Sequence, residues 1–372
     1  MKNNLFLFKK IYEENDFYKN KVINFSFSNF EELPFISSKE ISQLYSSNTQ
    51  KGATVFFTGG TSGKPKAIYY SQKDVDFLSD YISWFCKVEN IKKNEKIMVL
   101  MDQSFWGVGC LTNLGHIKAG NKVIPVDNDL PKSKIKEIIQ TIKPKVISSL
   151  PSVLLEISDI INDYKFDLIE TTGEKLTDDI RTKIENIYGG KVFDAYGMTE
   201  IIIGTECKKH DGYHYNNNRV YLEIIDKNGE NVKNGEWGEL VITSLNDKTT
   251  PIIRYLTGDL CKISNNKCEC GLKYPKVWIK DRIDKTFHLC EGYKIAESDI
   301  KNIINSVKNG LFVSAEVHTR DNIYYQLTIN ISKHIPKKHQ KIFFAKLKEN
   351  SYELMHMIRH NKLKITMKYN EK

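Results

Sequence analysis

Apolar residues first gather in a β-branched and aromatic run, Thr54-Val55-Phe56-Phe57, which predicts a strand. A second run, Ala67-Ile68-Tyr69-Tyr70, predicts another soon after it. From 54 to about 170 short apolar runs alternate with segments of helical period. The runs predict strands at 96–101, 122–126 and 145–149. Helices are predicted from the Ser71-x-x-Asp74 capping pair to about Cys86, then at 107–118, 133–141 and 152–161. Such alternation predicts a parallel sheet covered by helices.

After Glu200 the pattern changes to short strands at 221–225, 238–243 and 261–264, joined by Asn-Gly or Asp-Asn turns. From about 285 a helix (297–306), a strand pair (314–317 and 325–331), a helix (337–349) and a last strand (363–368) predict a small α+β unit. The expected fold class is therefore α/β. A large N-terminal domain, 1–281, has parallel sheets with helices plus a small antiparallel β subdomain, and a small C-terminal α+β domain covers 285–372. Residues 1–50 are polar and irregular with short helical pieces, and no internal repeat is present.

The segment between the first two strands carries chemistry. Thr58-Gly59-Gly60-Thr61-Ser62-Gly63-Lys64-Pro65-Lys66 lets backbone N–H groups approach oxyanions and adds hydroxyl donors and lysine charge, the composition of a phosphate cradle. It is not the common P-loop, because Lys64 is followed by Pro65 rather than a hydroxyl residue. The proline also keeps Lys64 out of right-handed helical geometry.

Composition narrows the class. The 372 residues, 40% hydrophobic, suffice for one large and one small domain. No stretch approaches ~20 apolar residues, and Leu-Phe-Leu-Phe at 5–8 is too short for a signal-peptide core. Seven cysteines without an even framework predict reduced thiols and a cytoplasmic protein. The lysines are scattered rather than gathered on one element with aromatics, which excludes a nucleic-acid-binding reading.

The loop resembles the signature of the adenylate-forming superfamily, the acyl- and aryl-CoA ligases and adenylation domains. Three more segments follow in that family's order: Tyr196-Gly197-Met198-Thr199-Glu200, Arg254-Tyr255-Leu256-Thr257-Gly258-Asp259, and Asp281-Arg282-Ile283-Asp284. Likeness to the phenylacetate–CoA ligase branch extends through Asp211-Gly212-Tyr213-His214, Tyr221–Asp226, Gly235–Leu240 and Cys268-Glu269-Cys270-Gly271, and covers most of residues 50–300. On its own, Tyr196–Glu200 also fits a helix start, with Thr199 capping and Glu200 at the positive end.

The resemblance implies activation of a carboxylic acid (aryl, acyl or amino acid) by ATP as an acyl adenylate. The acyl group then passes to the thiol of coenzyme A or of a carrier protein's phosphopantetheine. It implies that Thr58, Gly59, Gly60, Thr61, Ser62 and Gly63 hold the phosphates, with Lys66 as countercharge. Glu200 would bind Mg²⁺ and Thr199 the α-phosphate, Asp259 the ribose hydroxyls and Arg282 the ribose or phosphate. Thr172, Gly173, Glu174, Asp194, Ala195 and Tyr196 would line the adenine slot, Tyr196 stacking on the purine. The acid would lie near Ser104-Phe105-Trp106-Gly107, whose aromatics favour a flat acid. The net charge of +9 suits ATP, coenzyme A or an acidic carrier protein. A small carboxylate and a second copy of the chain complete the expected partners, with neither nucleic acid nor membrane among them.

Cys207, His214, Cys268 and Cys270 form a second constellation. Cys-x-Cys-Gly is a knuckle that presents two thiolates, and Cys207-x6-His214 supplies two further ligands, so a closed tetrahedral zinc site is expected, with His210 as an alternative ligand. Cys86, Cys110, Cys261 and Cys290 lack ligand spacing.

Two departures from the family stand out. Its Pro-x4-Gly-Lys segment, whose lysine bridges carboxylate and α-phosphate, has no counterpart after 363–368, which implies slow adenylation or a substitute such as Lys368. The spacing from Asp284 to Gly292 is one residue longer than usual, placing the pivot at Asp284 or Lys285. An adenylation-impaired relative that transfers acyl or amide groups, and a non-catalytic nucleotide-binding protein, are the alternatives.

Overall fold

Ser71 and Asp74 close a capping box: Asp74 N donates to Ser71 Oγ (3.3 Å) and Ser71 N donates to Asp74 Oδ2 (2.8 Å), starting the helix Gln72–Val88. The computed structural model describes residues 11–13, 15–21, 30–46, 54–58, 66–104, 106–245, 251–283, 285–350 and 352–369. They fall into two units, one drawn from 1–58, 66–125 and 193–283, the other from 59–65, 126–192 and 284–372. The glycine-rich segment Gly59–Pro65, and with it the predicted Gly59, Gly60, Thr61, Ser62 and Gly63, lies outside the described residues, as do Phe105, Asp284 and the side chains of Thr58 and Lys66.

Along the chain the strands are β1 (Thr54–Thr58), β2 (Lys66–Tyr70), β3 (Lys96–Leu100), β4 (Lys122–Val126), β5 (Val146–Ser149), β6 (Leu168–Thr172), β7 (Lys191–Met198), β8 (Ile201–Glu206), β9 (Tyr213–Tyr215), β10 (Val220–Ile225), β11 (Gly238–Ser244), β12 (Tyr255–Ser264) and β13 (Lys276–Arg282). The described residues also include β14 (Thr286–His288), β15 (Lys294–Ala296), β16 (Phe312–Arg320), β17 (Tyr324–Ile331) and β18 (Leu363–Tyr369).

In the first unit β1 and β2 pair antiparallel, with Thr58 opposite Lys66, so the predicted cradle is closed at its base by a β pair. An antiparallel sheet runs in the order β10-β11-β12-β13-β9-β8-β7. Its core holds Ile203, Leu240, Ile242 and Val277 with Tyr81 of the helix Gln72–Val88 and Ile41 and Leu44 of the helix Ser38–Ser46. The early polar segment is tied in by backbone: Ile36 N donates to Arg254 O and Leu256 N donates to Ile36 O, both at 2.9 Å.

In the second unit β5 and β6 pair in parallel, as their alternation with helices predicts. Residues 285–369 add the β14–β15 hairpin and a sheet in which β16–β17 is antiparallel and β17–β18 parallel. The helices Lys337–Asn350 and Tyr352–Arg359 make the crossover between the parallel pair. Ile300, Ile304, Leu327, Ile329, Phe343 and Met357 fill its interior. No helix among the described residues is long and apolar enough to cross a membrane.

Four local differences from the sequence reading stand out. β12 begins at Tyr255 rather than 261, because β11 pairs with it on both sides of Thr257-Gly258-Asp259 (Val241 opposite Leu256, Glu239 opposite Leu260), which the strand takes in as a bulge. The 152–161 helix is two pieces, Pro151–Glu156 and Ser158–Ile161, parted at Ile157. The helix Tyr352–Arg359 and the β14–β15 hairpin were not expected.

Candidate active site

Strand β7 carries Asp194, Ala195 and Tyr196, then continues to Met198 before a turn at Thr199–Glu200 leads into β8. The segment is thus a strand and hairpin tip rather than a helix start. Tyr70 of β2 fixes the tip by donating its hydroxyl to Thr199 O (2.5 Å). Burial, and then the charges of Glu200 and Asp74, raise the Tyr70 phenol above its ordinary value, which keeps it a donor.

The β12–β13 register sets Asp259 opposite Arg282. Arg282 Nη1 donates to Asp259 Oδ1 (3.0 Å) and Tyr196 Oη donates to Asp259 Oδ2 (2.5 Å). Asp259 N is held by Thr257 Oγ1 (3.1 Å), whose hydroxyl donates to Leu240 O (2.9 Å). Burial first, then the Asp259 charge, raises the Tyr196 phenol. On the same strand Asp194 accepts from the Tyr213 hydroxyl (2.6 Å), and its N donates to Glu206 (3.0 Å). One unit therefore gathers Tyr196, Asp259 and Arg282 into a hydrogen-bonded set, with Asp194 two residues earlier on the strand that bears Tyr196 and Thr199 and Glu200 at its tip. An aspartate flanked by an arginine and a phenol is suited to gripping a diol, since a carboxylate accepts two hydroxyl hydrogen bonds.

Gly173 and Glu174 sit in the second unit, directly after β6. Glu174 accepts from Ser152 N (2.8 Å), Ser152 Oγ (2.6 Å) and Gly292 N (2.9 Å). Burial raises its carboxyl, and these bonds oppose the rise. Near the predicted acid pocket, Asp102 Oδ1 accepts from Ser104 N (3.1 Å) and Trp106 N (3.2 Å). Gly107 has φ +70°, and a Cβ there would lie 2.4 Å from the Phe56 ring, so only glycine fits.

Cys207, His214, Cys268 and Cys270 converge, their ligand atoms all within 4.8 Å of one another. Cys207 Sγ lies 3.8 Å from Cys268 Sγ, and Cys270 Sγ lies 3.3 Å from His214 Nε2. Tetrahedral zinc with Zn–S bonds of ~2.3 Å separates two thiolates by about 3.8 Å, so the donor set fits that ion. His214 Nδ1 faces Tyr274 O at 3.0 Å, which would leave Nε2 for a metal. The alternative His210 instead turns its Nδ1 toward Glu206 (3.3 Å).

Sequence reasoning did not find Ser152, Glu156, Glu291, His356 or Lys362, which meet in the second unit from positions far apart. No spacing signals them. Nor did it find that Arg254 is a buried structural cation, paired with Glu223 at 2.9 Å.

A profile of the AMP-binding enzyme family matches residues 9–246. The chain is similar to the phenylacetate-coenzyme A ligase of Pseudomonas putida, 30% identical over 218 residues that cover 55% of this chain and 49% of that one. It is also similar to the phenylacetate-coenzyme A ligase of Escherichia coli (strain K12), 24% identical over 347 residues, 88% of this chain and 75% of that one. The chain spans about half the length of the curated relatives it matches in Pseudomonas putida, Aromatoleum evansii and Thermus thermophilus. Its fold resembles a crystal structure of 2-hydroxyisobutyryl-CoA ligase in complex with 2-HIB-AMP and CoA, at a TM-score of 0.80 and 20% identity, covering 98% of this chain and 84% of that one. With the family profile spanning most of the chain, and Tyr196, Asp259 and Arg282 of three separate motifs brought into one hydrogen-bonded set, the chain belongs to the family of AMP-binding enzymes.

Proposed function

We propose that this chain activates a carboxylic acid with ATP as an acyl adenylate and passes the acyl group to a thiol, that of coenzyme A. The observation that carries this reading is Asp259 held between Tyr196 and Arg282, a ready acceptor for the ribose hydroxyls. The β1–β2 hairpin supports it by closing the base of the phosphate cradle between Thr58 and Lys66. In this reading Thr58, the segment 59–63 and Lys66 hold the phosphates, while Thr199 and Glu200, at the β7–β8 tip, act at the α-phosphate and on Mg²⁺. Gly173 and Glu174 border the base. Catalysis is mostly positioning: charge is neutralised at the phosphate oxygens and the carboxylate is held in line. A flat aryl acid beside Trp106 and a cytoplasmic location belong to the same proposal.

The Cys207/His214/Cys268/Cys270 cluster is proposed to hold a structural zinc ion. Four protein ligands leave no open position, so its chemistry is to cross-link the β8–β9 connection to the turn before β13.

The test is carboxylate-dependent exchange of labelled pyrophosphate into ATP, run with aryl, short acyl and amino acids, followed by thioester formation with coenzyme A. Exchange with an aryl acid supports the reading. AMP binding without exchange for any acid would overturn it in favour of a non-catalytic nucleotide-binding protein.

A further inference from the structure

Within the second unit, the turn between β14 and β15 is seated by an ion cluster that the nucleotide chemistry leaves unexplained. Lys362, just before β18, donates from Nζ to Glu156 Oε2 (2.6 Å) and to Glu291 Oε1. Glu291 Oε2 meets His356 Nε2 at 3.1 Å. The side chains of Lys362, Glu291 and His356 are only 14%, 7% and 12% exposed, so these charges are largely withdrawn from water. Glu291 itself has φ +59°, a left-handed conformation that a glutamate adopts only when its surroundings over-determine it.

The backbone of that turn is held as firmly as the side chain. Glu291 N donates to Ser152 Oγ (2.9 Å), and Gly292 N donates to Glu174 Oε1 (2.9 Å). Ser152 in turn donates to the same Glu174 carboxylate from N and Oγ. A Cβ at Gly292 would stand 3.5 Å from Gly173 O and 3.4 Å from Leu150 Cδ2, so the turn lies in van der Waals contact with the corner after β6. Lys362 thus reaches Glu174 through one unbroken chain: Lys362, Glu291, the turn amides, Ser152 and Glu174.

We propose that Lys362 and Glu291 are positioning residues of the nucleotide slot: by clasping the Glu291–Gly292 turn to the Ser152–Glu174 corner, they fix the carboxylate and backbone that border the base. This rests on the reading of Gly173 and Glu174 as part of that slot. Lys362 touches no substrate in this account. It acts through Glu291, whose displacement would take one N–H donor from Glu174 and leave that carboxylate free to turn. An affinity that depends on a fixed corner falls in proportion to the fraction of molecules in which the corner is set.

The experiment reads the clasp and the slot separately. Hydrogen exchange of the Glu291 and Gly292 amides and AMP affinity by calorimetry are measured in the wild type, Lys362→Met, Lys362→Arg and Glu156→Gln. Lys362→Met is expected to speed exchange at both amides at least about tenfold and to weaken AMP about tenfold. Lys362→Arg keeps both near wild type, because the charge and its two carboxylates remain. Glu156→Gln, milder and safer for folding, is expected to move both readouts in the same direction by less. Exchange or affinity within twofold of wild type in both Lys362→Met and Glu156→Gln would overturn the proposal. So would faster exchange with unchanged AMP affinity, which would make the clasp purely structural. A wild type that binds no AMP would remove the slot reading itself and this proposal with it. That failure is distinct from one in which the wild type and the variants bind equally well.

Discussion

The Tyr196 phenol donates to the Asp259 carboxylate across 2.5 Å, joining two residues 63 positions apart on different strands. Each belongs to a different motif, and Arg282 of a third motif completes the set at 3.0 Å. A diol arriving at Asp259 would compete with donors already in place, which sets what each substitution should do.

Asp259→Asn is expected to weaken AMP more than about tenfold, since an amide oxygen is a poorer acceptor than a carboxylate and the Arg282 pair is lost. Tyr196→Phe keeps the ring and removes one donor, so its effect should stay within about fivefold. Calorimetric titration with AMP checks both. Equal affinity for Asp259→Asn and wild type would take Asp259 out of the site.

Glu200→Gln should slow pyrophosphate exchange by more than ~100-fold with the fold intact, because a neutral amide is a weak Mg²⁺ ligand. The check is the exchange rate across a magnesium titration. Full recovery at saturating magnesium would place the metal elsewhere.

Elemental analysis should find about one zinc per chain, retained on dialysis and reduced in Cys268→Ser. Chelation or Cys268→Ser should lower the melting temperature far more than kcat, as a closed site has no position for substrate. Metal-free protein of unchanged melting temperature would refute the site.

Arg254 and Glu223 form a buried bidentate pair, and Arg254 also donates to the carbonyls of Glu31 and Leu33. Removing one partner strands the other, so Arg254→Met should cost about 3–5 kcal/mol in urea unfolding. The double variant Arg254→Met/Glu223→Leu should recover part of that loss. A single variant within about 1 kcal/mol of wild type would show that the pair is solvated.

The Glu291 cluster gives a stability window in pH. Burial alone would raise Glu291, but the His356 hydrogen bond and the Lys362 charge outweigh it and hold the carboxyl at about 2, below its ordinary 4.5. Its contribution, on the order of 3 kcal/mol, is present above about 4.5 and is lost as pH falls toward 2. His356 is raised, chiefly by its bond to Glu291, so its contribution is full below its ordinary 6.5 and is lost as pH rises through the higher value. Glu174, Glu156, Asp129, His360 and Tyr293 also face or adjoin this cluster. The melting-temperature gap between wild type and Glu291→Gln should therefore be widest near pH 5–6 and narrow on both sides. A gap that does not vary with pH would mean the cluster does not titrate with folding.

Elements whose cause is local are legible from the residues alone. Ser71 and Asp74 announce the helix at Gln72 because a capping box needs only four residues in order. The strands from 96 to 149 and the helices and strands from 297 to 349 and at 363 follow from apolar period in the same way. The sequence also named Tyr196, Asp259 and Arg282, because their motifs are short and ordered, and the Cys/His set, because Cys-x-Cys-Gly is a local geometry. Tertiary structure alone decided which of these meet. The β12–β13 register puts Asp259 opposite Arg282, and strand pairing on both sides of Thr257-Gly258-Asp259 makes a turn-like composition a bulge inside a strand. The clasp of Lys362, Glu291, Glu156 and Ser152 was likewise illegible, for each residue is an ordinary polar position in its own segment. Burial of a charge is fixed by what folds over it, and its partners here come from 71 to 206 positions away.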